Sequence, residues 1–447
     1  MRLTLMRLIL TSIAILVMLA YSVRAEAMSI IRDDEAETVM REIGDPIFKA
    51  AGLSPKSVNL YIINQEEPNA FVMGGQNIFI STGLLNFSDN PEILAGVLAH
   101  ETGHIIGGHL IQSSKEMRNA QNTMLIGFLA GALLGVASKS SEAAVGAISG
   151  AQSLAVGQMM SFSRVQESAA DSTSARIMNK LGVSSGGIIS FLRSLGTNER
   201  LFYGEISAYQ RTHPLSQSRI DFLQSATRND SSNSYLTQSI RDRFKMVHAK
   251  IFAFTASSSS VMREYGKSES APAIYAKSIS YFRENQKKPA IHELDKLIAL
   301  NPKSPYLLEL KAQILFELGQ IDDAIIYYQK AHEFKPASEL ISMEYAAALI
   351  SVNKNLNTAA KLLKYVVSVN RDESYAWNLL GKVYKKLGDD NNMHIAFAFE
   401  AYLRGDLATA RKQLNSIKNK ASLSEDSQRK LKDIDNIIKA NPQLEEE

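Results

Sequence analysis

Alternating apolar and polar positions predict a small sheet near the start of the chain. Residues 58–63 (VNLYII) have the composition of a strand, and the runs 70–73 and 77–81 flank Gly74 and Gly75, which is typical of a hairpin. We therefore expect a short mixed sheet. An edge strand of this sheet could accept an extended peptide as an additional strand, or the strands could serve only to support a neighbouring helix.

Two helices are predicted around this sheet. Apolar positions between residues 28 and 51 recur loosely with a helical period. The segment 90–104 has stronger end signals, because Asn90 can cap a helix, Pro91 suits its first position and Glu92 favours the positive end of the helix dipole.

The C-terminal part of the chain is predicted to be a stack of helix pairs. Asn301-Pro302 and Lys335-Pro336 are separated by 34 residues, which is the tetratricopeptide period, and Asn370 continues the spacing. The segment 377–384 (WNLLGKVY) matches the consensus of a first repeat helix. We expect four or so helix pairs between residues 271 and 440, with the third and last repeats irregular. Such stacks present a concave surface that binds peptides or other proteins.

A serine-rich interruption at residues 256–260 precedes these repeats, and we place a domain boundary near it. The predicted organisation is a leader at 1–25, a first domain at 26–262 and a tetratricopeptide-repeat domain at 263–447. A plain helical bundle is the alternative for the last part, but the fixed period argues against it.

The N-terminus has the features of a secretory signal peptide. Arg2 and Arg7 precede the apolar run 8–20, which leads to small residues up to Ala25 and Ala27. We expect cleavage after one of these alanines, with an uncleaved anchor as the alternative. If the source is a Gram-negative bacterium, the mature chain is expected in the periplasm.

Two uncharged stretches rich in Gly and Ala follow the helix at 90–104. They span residues 119–138 and 143–163, and both approach the roughly 20 residues that cross a bilayer. Because the first has a short apolar core and the second contains Gln and Ser, a hairpin over the active site or against a membrane is favoured over a true span. Peripheral membrane contact through residues 119–163 is therefore one expectation.

Composition narrows the class of protein. A chain of 447 residues is expected to form two or three domains, each with its own core. The net charge of +3 comes without a long basic run, which argues against a nucleic-acid partner. The chain has no Cys, so disulfides and thiol nucleophiles are excluded.

The helix at 90–104 carries the candidate chemistry. His100 and His104 are four residues apart, so they project from one helical face and can hold one Zn²⁺, while Glu101 can act as the general base. Two incidental histidines are the alternative. In the longer metzincin motif a third His would stand at position 110, which is Leu110; His109 comes one residue early, so we predict a supporting or surface role for it.

A third ligand is predicted further along the chain. Residues 163–176 are Ala-rich and free of Gly and Pro, which favours a helix. On it, Glu167 can supply the carboxylate of a His₂Glu zinc site, and Asp171 can accept the remaining N–H of a ligand histidine. The alternative is a solvated acidic face paired with Arg164 or Arg176.

The ordered set of motifs resembles the gluzincin peptidase family, which includes the CAAX prenyl proteases and the bacterial heat-shock membrane proteases. The resemblance covers residues 70 to 222 and rests on three segments: His100-Glu101-Thr-Gly-His104, Glu167-Ser-Ala-Ala-Asp171, and Thr212-His213-Pro214 with Arg219-Ile220. It implies an α+β, mainly α fold: a zincin-type metallopeptidase domain with a small sheet, followed by the tetratricopeptide α-solenoid.

The resemblance also implies roles that residue chemistry alone does not give. One zinc ion per chain would be bound by His100, His104 and Glu167, with Glu101 as base and then acid. His213 would lie at the mouth of the cleft, where it would stabilise the oxyanion or occupy the fourth zinc position and hold the enzyme shut, and Arg219 would steady it. By itself, a His before Pro is equally plausible as a loop residue.

Substrates and partners follow from the same resemblance, through family members that combine a signal peptide with a repeat domain. It implies polypeptide substrates, in particular outer-membrane β-barrel precursors, and the outer-membrane protein assembly machinery as partner of the repeat domain. Two classes of function stay open. The first is a secreted zinc endopeptidase for quality control of envelope proteins. The second is a chaperone or adaptor of outer-membrane assembly whose zinc domain is largely inactive.

Overall fold

The computed structural model describes residues 29–109, 111–119, 121–124, 141–198, 208–226, 233–418, 420 and 423–440. The predicted leader at 1–25, Leu110 and most of the uncharged stretch 119–138 lie outside the described residues. Within the described ranges, the helices are too short or too polar for any of them to cross a membrane.

A four-stranded mixed sheet lies near the N-terminus, as predicted. The strands are β1 (Ile30–Ile31), β2 (Asn59–Ile63), β3 (Ala70–Met73) and β4 (Asn77–Ser81), and their order in the sheet is β1-β2-β4-β3. β2 and β4 are parallel, whereas β1 with β2 and β3 with β4 are antiparallel. Gly74 and Gly75 form the predicted hairpin turn with φ of 62° and 99°, a region in which Gly is favoured. β3 is therefore an edge strand.

Helices cover the sheet and form the rest of the first domain. They are α1 (Asp34–Ala50), α2 (Thr82–Phe87), α3 (Pro91–Ile106), α4 (Ser141–Lys180), α5 (Gly186–Asn198), α6 (Ala208–Thr212), α7 (Gln217–Ala226) and α8 (Gln238–Thr255). The Asn90 side chain caps α3 by accepting hydrogen bonds from the backbone N–H groups of Glu92 and Ile93. Most of α3 is buried, so it is the central helix of this core.

The repeats form the second half of the molecule. Their helices are α9 (Ser258–Tyr265), α10 (Ala271–Arg283), α11 (Lys287–Leu300), α12 (Pro305–Glu317), α13 (Ile321–Phe334), α14 (Glu339–Ser351), α15 (Leu356–Val369), α16 (Ser374–Leu387), α17 (Asp390–Leu403), α18 (Leu407–Asn415) and α19 (Glu425–Ala440). From α10 to α17 they pack as four consecutive pairs. The predicted fold class, mainly α with a small sheet followed by a tetratricopeptide-like solenoid, is confirmed.

Helix α8 contributes to the cores of both halves. Its residues Phe244, Val247 and Ile251 pack in the core of the first domain, whereas Ala249 and Ala253 pack with α9 and α10. The serine-rich segment at 256–260 begins directly after α8, so the two halves share a continuous packed contact there. The domain boundary near this segment stays a prediction.

A polar network joins the start of α1 to α8 and to the first helix of the paired repeats, α10. Lys250 Nζ lies 2.7 Å from Asp33 Oδ2 and 3.3 Å from Glu35 Oε2, and the Tyr275 hydroxyl donates to Glu35 at 2.9 Å. A cavity of about 300 Å³ lies beside this network. It is lined by Asp33 and by repeat residues that include Glu309, Glu344 and Glu373.

Candidate metal centre

Helix α3 brings His100 and His104 together in its last turns. Because the two residues are one helical turn apart, both rings face the same side, and their Nε2 atoms are 3.1 Å apart. His100 is fully buried and His104 is half-buried. The predicted pairing of these two rings is therefore present in the structure.

The predicted carboxylate arrives from α4, which packs closely against α3. A side chain at Gly103 would meet α4, since an added Cβ would lie 2.8 Å from the Ala170 Cα. This close approach places Glu167 against both rings, with Oε2 at 3.3 Å from His100 Nε2 and Oε1 at 3.2 Å from His104 Nε2.

His213, the residue directly after α6, lies in the same cluster. His213 Nδ1 lies 3.1 Å from Glu167 Oε1, and its Nε2 lies 3.5 Å from Glu101 Oε1. The ring is only 5% exposed and stacks on Tyr209, with ring centres 4.5 Å apart. Tyr209 was not predicted from the sequence, because an isolated Tyr carries no pattern that marks it as a support for a distant histidine.

These side chains fit a metal ion. His100, His104, Glu167 and His213 each offer a ligand atom, and these atoms all lie within 4.8 Å of one another. Both Glu101 carboxylate oxygens and His213 Nε2 are buried without a hydrogen-bond partner among the described residues. Unpartnered buried donors and acceptors around one point are the arrangement that a bound cation and water would satisfy. A set of imidazoles and one carboxylate suits zinc.

Asp171 and Arg219 hold the cluster from behind. Asp171 Oδ1 lies 2.9 Å from His100 Nδ1, as expected for a residue that orients a ligand histidine. Arg219 donates to both Asp171 oxygens, at 2.7 and 2.9 Å, and its Nη1 lies 2.8 Å from Glu167 Oε2. Arg219 also donates to the Pro214 carbonyl at 3.1 Å, so it contacts the His213 segment through the backbone.

Charges in the cluster shift the proton affinities of its members. Burial disfavours a charged His100, but the carboxylates of Asp171 and Glu167 outweigh this effect and raise the pKa of His100 to about 10. Burial would raise the pKa of Glu167, yet the surrounding imidazoles hold that pKa well below its usual range. Burial lowers the pKa of His104. The carboxylate ligand is therefore ionised and ready for a cation.

His109 lies behind His104 and outside the group of candidate ligands. Its Nδ1 is 2.9 Å from His104 Nδ1, and the residue is 7% exposed. Burial and the neighbouring His104 lower the pKa of His109 to about 4. The structure thus places His109 in a buried position against His104, whereas the sequence left a supporting or a surface role open.

An open cleft runs from this cluster along the edge strand. A cavity of about 440 Å³ is bounded on one side by Phe71, Val72 and Met73 of β3, and it reaches His104 and Glu101. Its further lining includes Ile105, Ile111 and His213. The lining of the cleft is largely apolar, apart from the polar side chains of the cluster.

Comparison with known proteins agrees with this geometry. Residues 34–227 match peptidase family M48. The first half of the chain is an M48 peptidase domain. Residues 256–331, beyond the M48 domain, match the family of anaphase-promoting complex, cyclosome, subunit 3. This domain contains the HExxH helix and the converging candidate ligands. The chain is therefore a metallopeptidase.

Relatives cover both the M48 domain and the repeats. The beta-barrel assembly-enhancing protease of Escherichia coli (strain K12) is 24% identical over 88% of this chain and 81% of its own length. The mitochondrial metalloendopeptidase OMA1 of Schizosaccharomyces pombe is 28% identical over 45% of this chain and 58% of its own length. A tetratricopeptide repeat protein from Parabacteroides merdae covers 44% of this chain and 82% of its own at 14% identity, with a TM-score of 0.28.

Proposed function

We propose that this metallopeptidase is a zinc endopeptidase that degrades misfolded envelope proteins, in particular outer-membrane β-barrel precursors. The convergence of His100, His104 and Glu167 beside the unpartnered carboxylate of Glu101 carries the catalytic part of the proposal. The name of the Escherichia coli relative that matches 88% of this chain, a beta-barrel assembly-enhancing protease, supports the choice of substrate.

A bound zinc ion would supply Lewis acidity toward water and the scissile carbonyl. The residues of the chain would provide the rest of the chemistry. Glu101 would take a proton from water at a carboxylate oxygen and deliver it to the leaving amine, because it is buried beside the ligands and free of hydrogen bonds from other described residues. Asp171 and Arg219 would orient His100 and Glu167.

We propose that substrate binds in extended form along β3. The strand forms the edge of the sheet and lines the cleft that leads to Glu101. An unpaired strand edge can hydrogen-bond to a polypeptide backbone regardless of its sequence, which suits an enzyme that acts on unfolded precursors. The apolar lining of the cleft would favour large apolar side chains near the scissile bond.

We further propose that His213 restrains the enzyme. Its ring is buried against Glu101 and Glu167 and lines the cleft beside them. The short helix α6, which ends directly before it, also contacts β3. Activity would then require His213 to withdraw. This restraint is also the observation that favours the alternative function, a chaperone or adaptor with a largely inactive zinc domain.

We place the protein in the periplasm, with the repeat domain docking it onto the outer-membrane assembly machinery. The charge pattern at the N-terminus supports export. The solenoid supports protein binding, because stacked helix pairs present an extended concave face. Peripheral membrane contact through residues 119–163 is part of the same proposal.

Replacement of Glu101 by Gln tests the function directly. The E101Q variant should lose casein hydrolysis by at least a factor of about 100, because the general base is gone. It should still contain one zinc per chain by elemental analysis, because the ligands are intact. His394→Leu in the repeats serves as the control and should keep full activity. Full activity of E101Q would refute the assignment of Glu101. Zinc binding without hydrolysis in the wild type and in a variant freed of His213 would favour the adaptor.

A further inference from the structure

The two ligand histidines of α3 differ in what stands behind them. The outer nitrogen of His100 faces the carboxylate of Asp171, whereas the outer nitrogen of His104 faces Nδ1 of His109 at 2.9 Å. We propose that His109 is the positioning residue of His104: it accepts a hydrogen bond from His104 Nδ1 and thereby fixes the ring for metal binding through Nε2. This inference rests on the proposed zinc site.

The protonation pattern follows from the direction in which each nitrogen points. His104 Nε2 faces Glu167 and His100 Nε2, so it is the nitrogen that would bind a metal through its lone pair. A neutral imidazole that binds through Nε2 carries its proton on Nδ1. His104 Nδ1 is therefore the donor, and His109 Nδ1 must be the acceptor, with its own proton on Nε2.

The chain turns at two glycines to bring His109 to this place. Gly108 has a φ of 63°, in the left-handed region that Gly favours, and it forms the turn that follows α3. Gly107 leaves space for the returning ring, since a Cβ at that position would overlap the Nε2 atom of His109. Gly107 itself has ordinary helical angles, so the His109 ring is the main obstacle to a side chain at position 107.

Helix α4 fixes the backbone of His109 as well. The Gln166 side-chain amide donates to the His109 carbonyl at 3.0 Å, and the Ser113 hydroxyl donates to Gln166 Oε1 at 3.1 Å. Gln166 directly precedes Glu167, so the residue that holds His109 is joined to the carboxylate ligand. The supports of His104 and the placement of Glu167 are thus coupled through adjacent residues of one helix.

Substitutions at position 109 separate the hydrogen bond from the packing of the side chain. Asn and Leu both place an atom at the position of His Nδ1, but only the Asn oxygen can accept a hydrogen bond. The full-length variants His109→Asn and His109→Leu would be compared with wild type by competition for Zn²⁺ against a chromophoric chelator. Peptide hydrolysis and the thermal midpoint of the metal-free protein would be measured alongside, and His394→Leu is the control away from the site.

We expect H109L to bind Zn²⁺ about 10- to 100-fold more weakly than wild type, and H109N to stay within about threefold. Gly107→Ala, which leaves every candidate ligand in place, should displace the His109 ring and weaken Zn²⁺ binding as H109L does. This variant also provides the measurement if H109L fails to fold.

Three results would overturn the inference. They are wild-type affinity in H109L, an equal loss in H109N and H109L, and wild-type affinity in G107A. Each would show that the acceptor atom at position 109 does not hold His104. A wild-type protein that binds no Zn²⁺ would instead contradict the proposed zinc function itself, so the two failures are distinguishable.

Discussion

Arg219 and Asp171 form a buried two-pronged ion pair: Nε and Nη2 of the guanidinium donate to the two carboxylate oxygens at 2.7 and 2.9 Å. Although burial opposes ionisation of Asp171, Arg219 and His100 lower its pKa. Asp171 therefore stays an acceptor for His100. Because Arg219 also reaches Glu167, one cation organises two of the three predicted metal ligands.

Replacement of Arg219 by Met should therefore destabilise the native protein. It leaves the Asp171 carboxylate buried without its partner, and breaking such a pair typically destabilises a protein by about 3–5 kcal/mol. Urea unfolding of the metal-free protein measures this change. Arg404→Met is a matched control, because Arg404 pairs with Glu400 at the surface and is expected to contribute less than about 1 kcal/mol. Equal stability of the two variants would contradict the structural role of Arg219.

Replacement of His213 by Ala should raise the rate of proteolysis. The imidazole contacts both buried carboxylates and lines the cleft beside Glu101, so its removal widens access to them. A gain of about tenfold is expected if roughly a tenth of wild-type molecules are open at rest. Initial rates on casein at equal zinc content measure it. A fall of about 10²–10³-fold would instead assign His213 to stabilisation of the oxyanion.

A proline at position 72 tests whether substrate adds to the edge of the sheet. The Ser81 N–H donates to the Asn69 carbonyl, and hydrogen-bonded pairs alternate along an antiparallel ladder, so the backbone of Val72 faces away from β4 and toward the cleft. Val72→Pro removes that outward N–H, and each lost hydrogen bond is worth about 1 kcal/mol. We expect kcat/KM on an unfolded protein to fall about fivefold or more. Val72→Ala should be close to wild type, and equal rates for the two variants would exclude strand addition here.

Glu309 predicts a pH dependence of stability. Burial, together with Asp33 and Glu344, outweighs the attraction of Lys250 and raises the pKa of Glu309 from the ordinary glutamate value of 4.5 to about 8. Between these two pH values the unfolded chain ionises while the native state keeps the proton, so native stability falls as pH rises through this window. Glu309→Gln should reduce the fall by about 1–3 kcal/mol.

The measurement for Glu309 is urea unfolding at pH 5 and pH 8.5. The free energy of unfolding of E309Q, relative to that of wild type, should increase with pH and should be lowest at pH 5. Glu333→Gln on the exposed face of α13 is the control and should follow wild type at both pH values. An identical pH profile for E309Q and wild type would show that Glu309 titrates normally in the native state.

Local patterns in the sequence were sufficient to predict the helices and strands that carry the candidate site. Asn90 and Pro91 located the start of α3, and the glycine pair at 74 and 75 located the hairpin, because caps and turns depend on neighbouring residues. The 34-residue period predicted the helix pairs for the same reason. In each case the interaction that defines the element is formed within a few residues or within one repeat.

Contacts between distant segments could not be read in this way. The Arg219–Asp171 bond, the Tyr209 support of His213 and the return of His109 onto His104 all depend on how helices pack in three dimensions. Spacing argued against His109 as a ligand, since it addresses only residues on one helical face, and the structure leaves His109 outside the candidate ligand group. It could not predict the turn at Gly107 and Gly108 that gives His109 its partner.

The shared helix α8 has a consequence for how the protein can be divided. Separating the halves after Thr255 would strip the cover from Ala249 and Ala253 and expose an apolar stripe on the peptidase fragment. Because α8 belongs to both cores, the repeats are a structural part of the peptidase. A force applied to the solenoid by a bound partner would therefore act directly on the domain that contains α3.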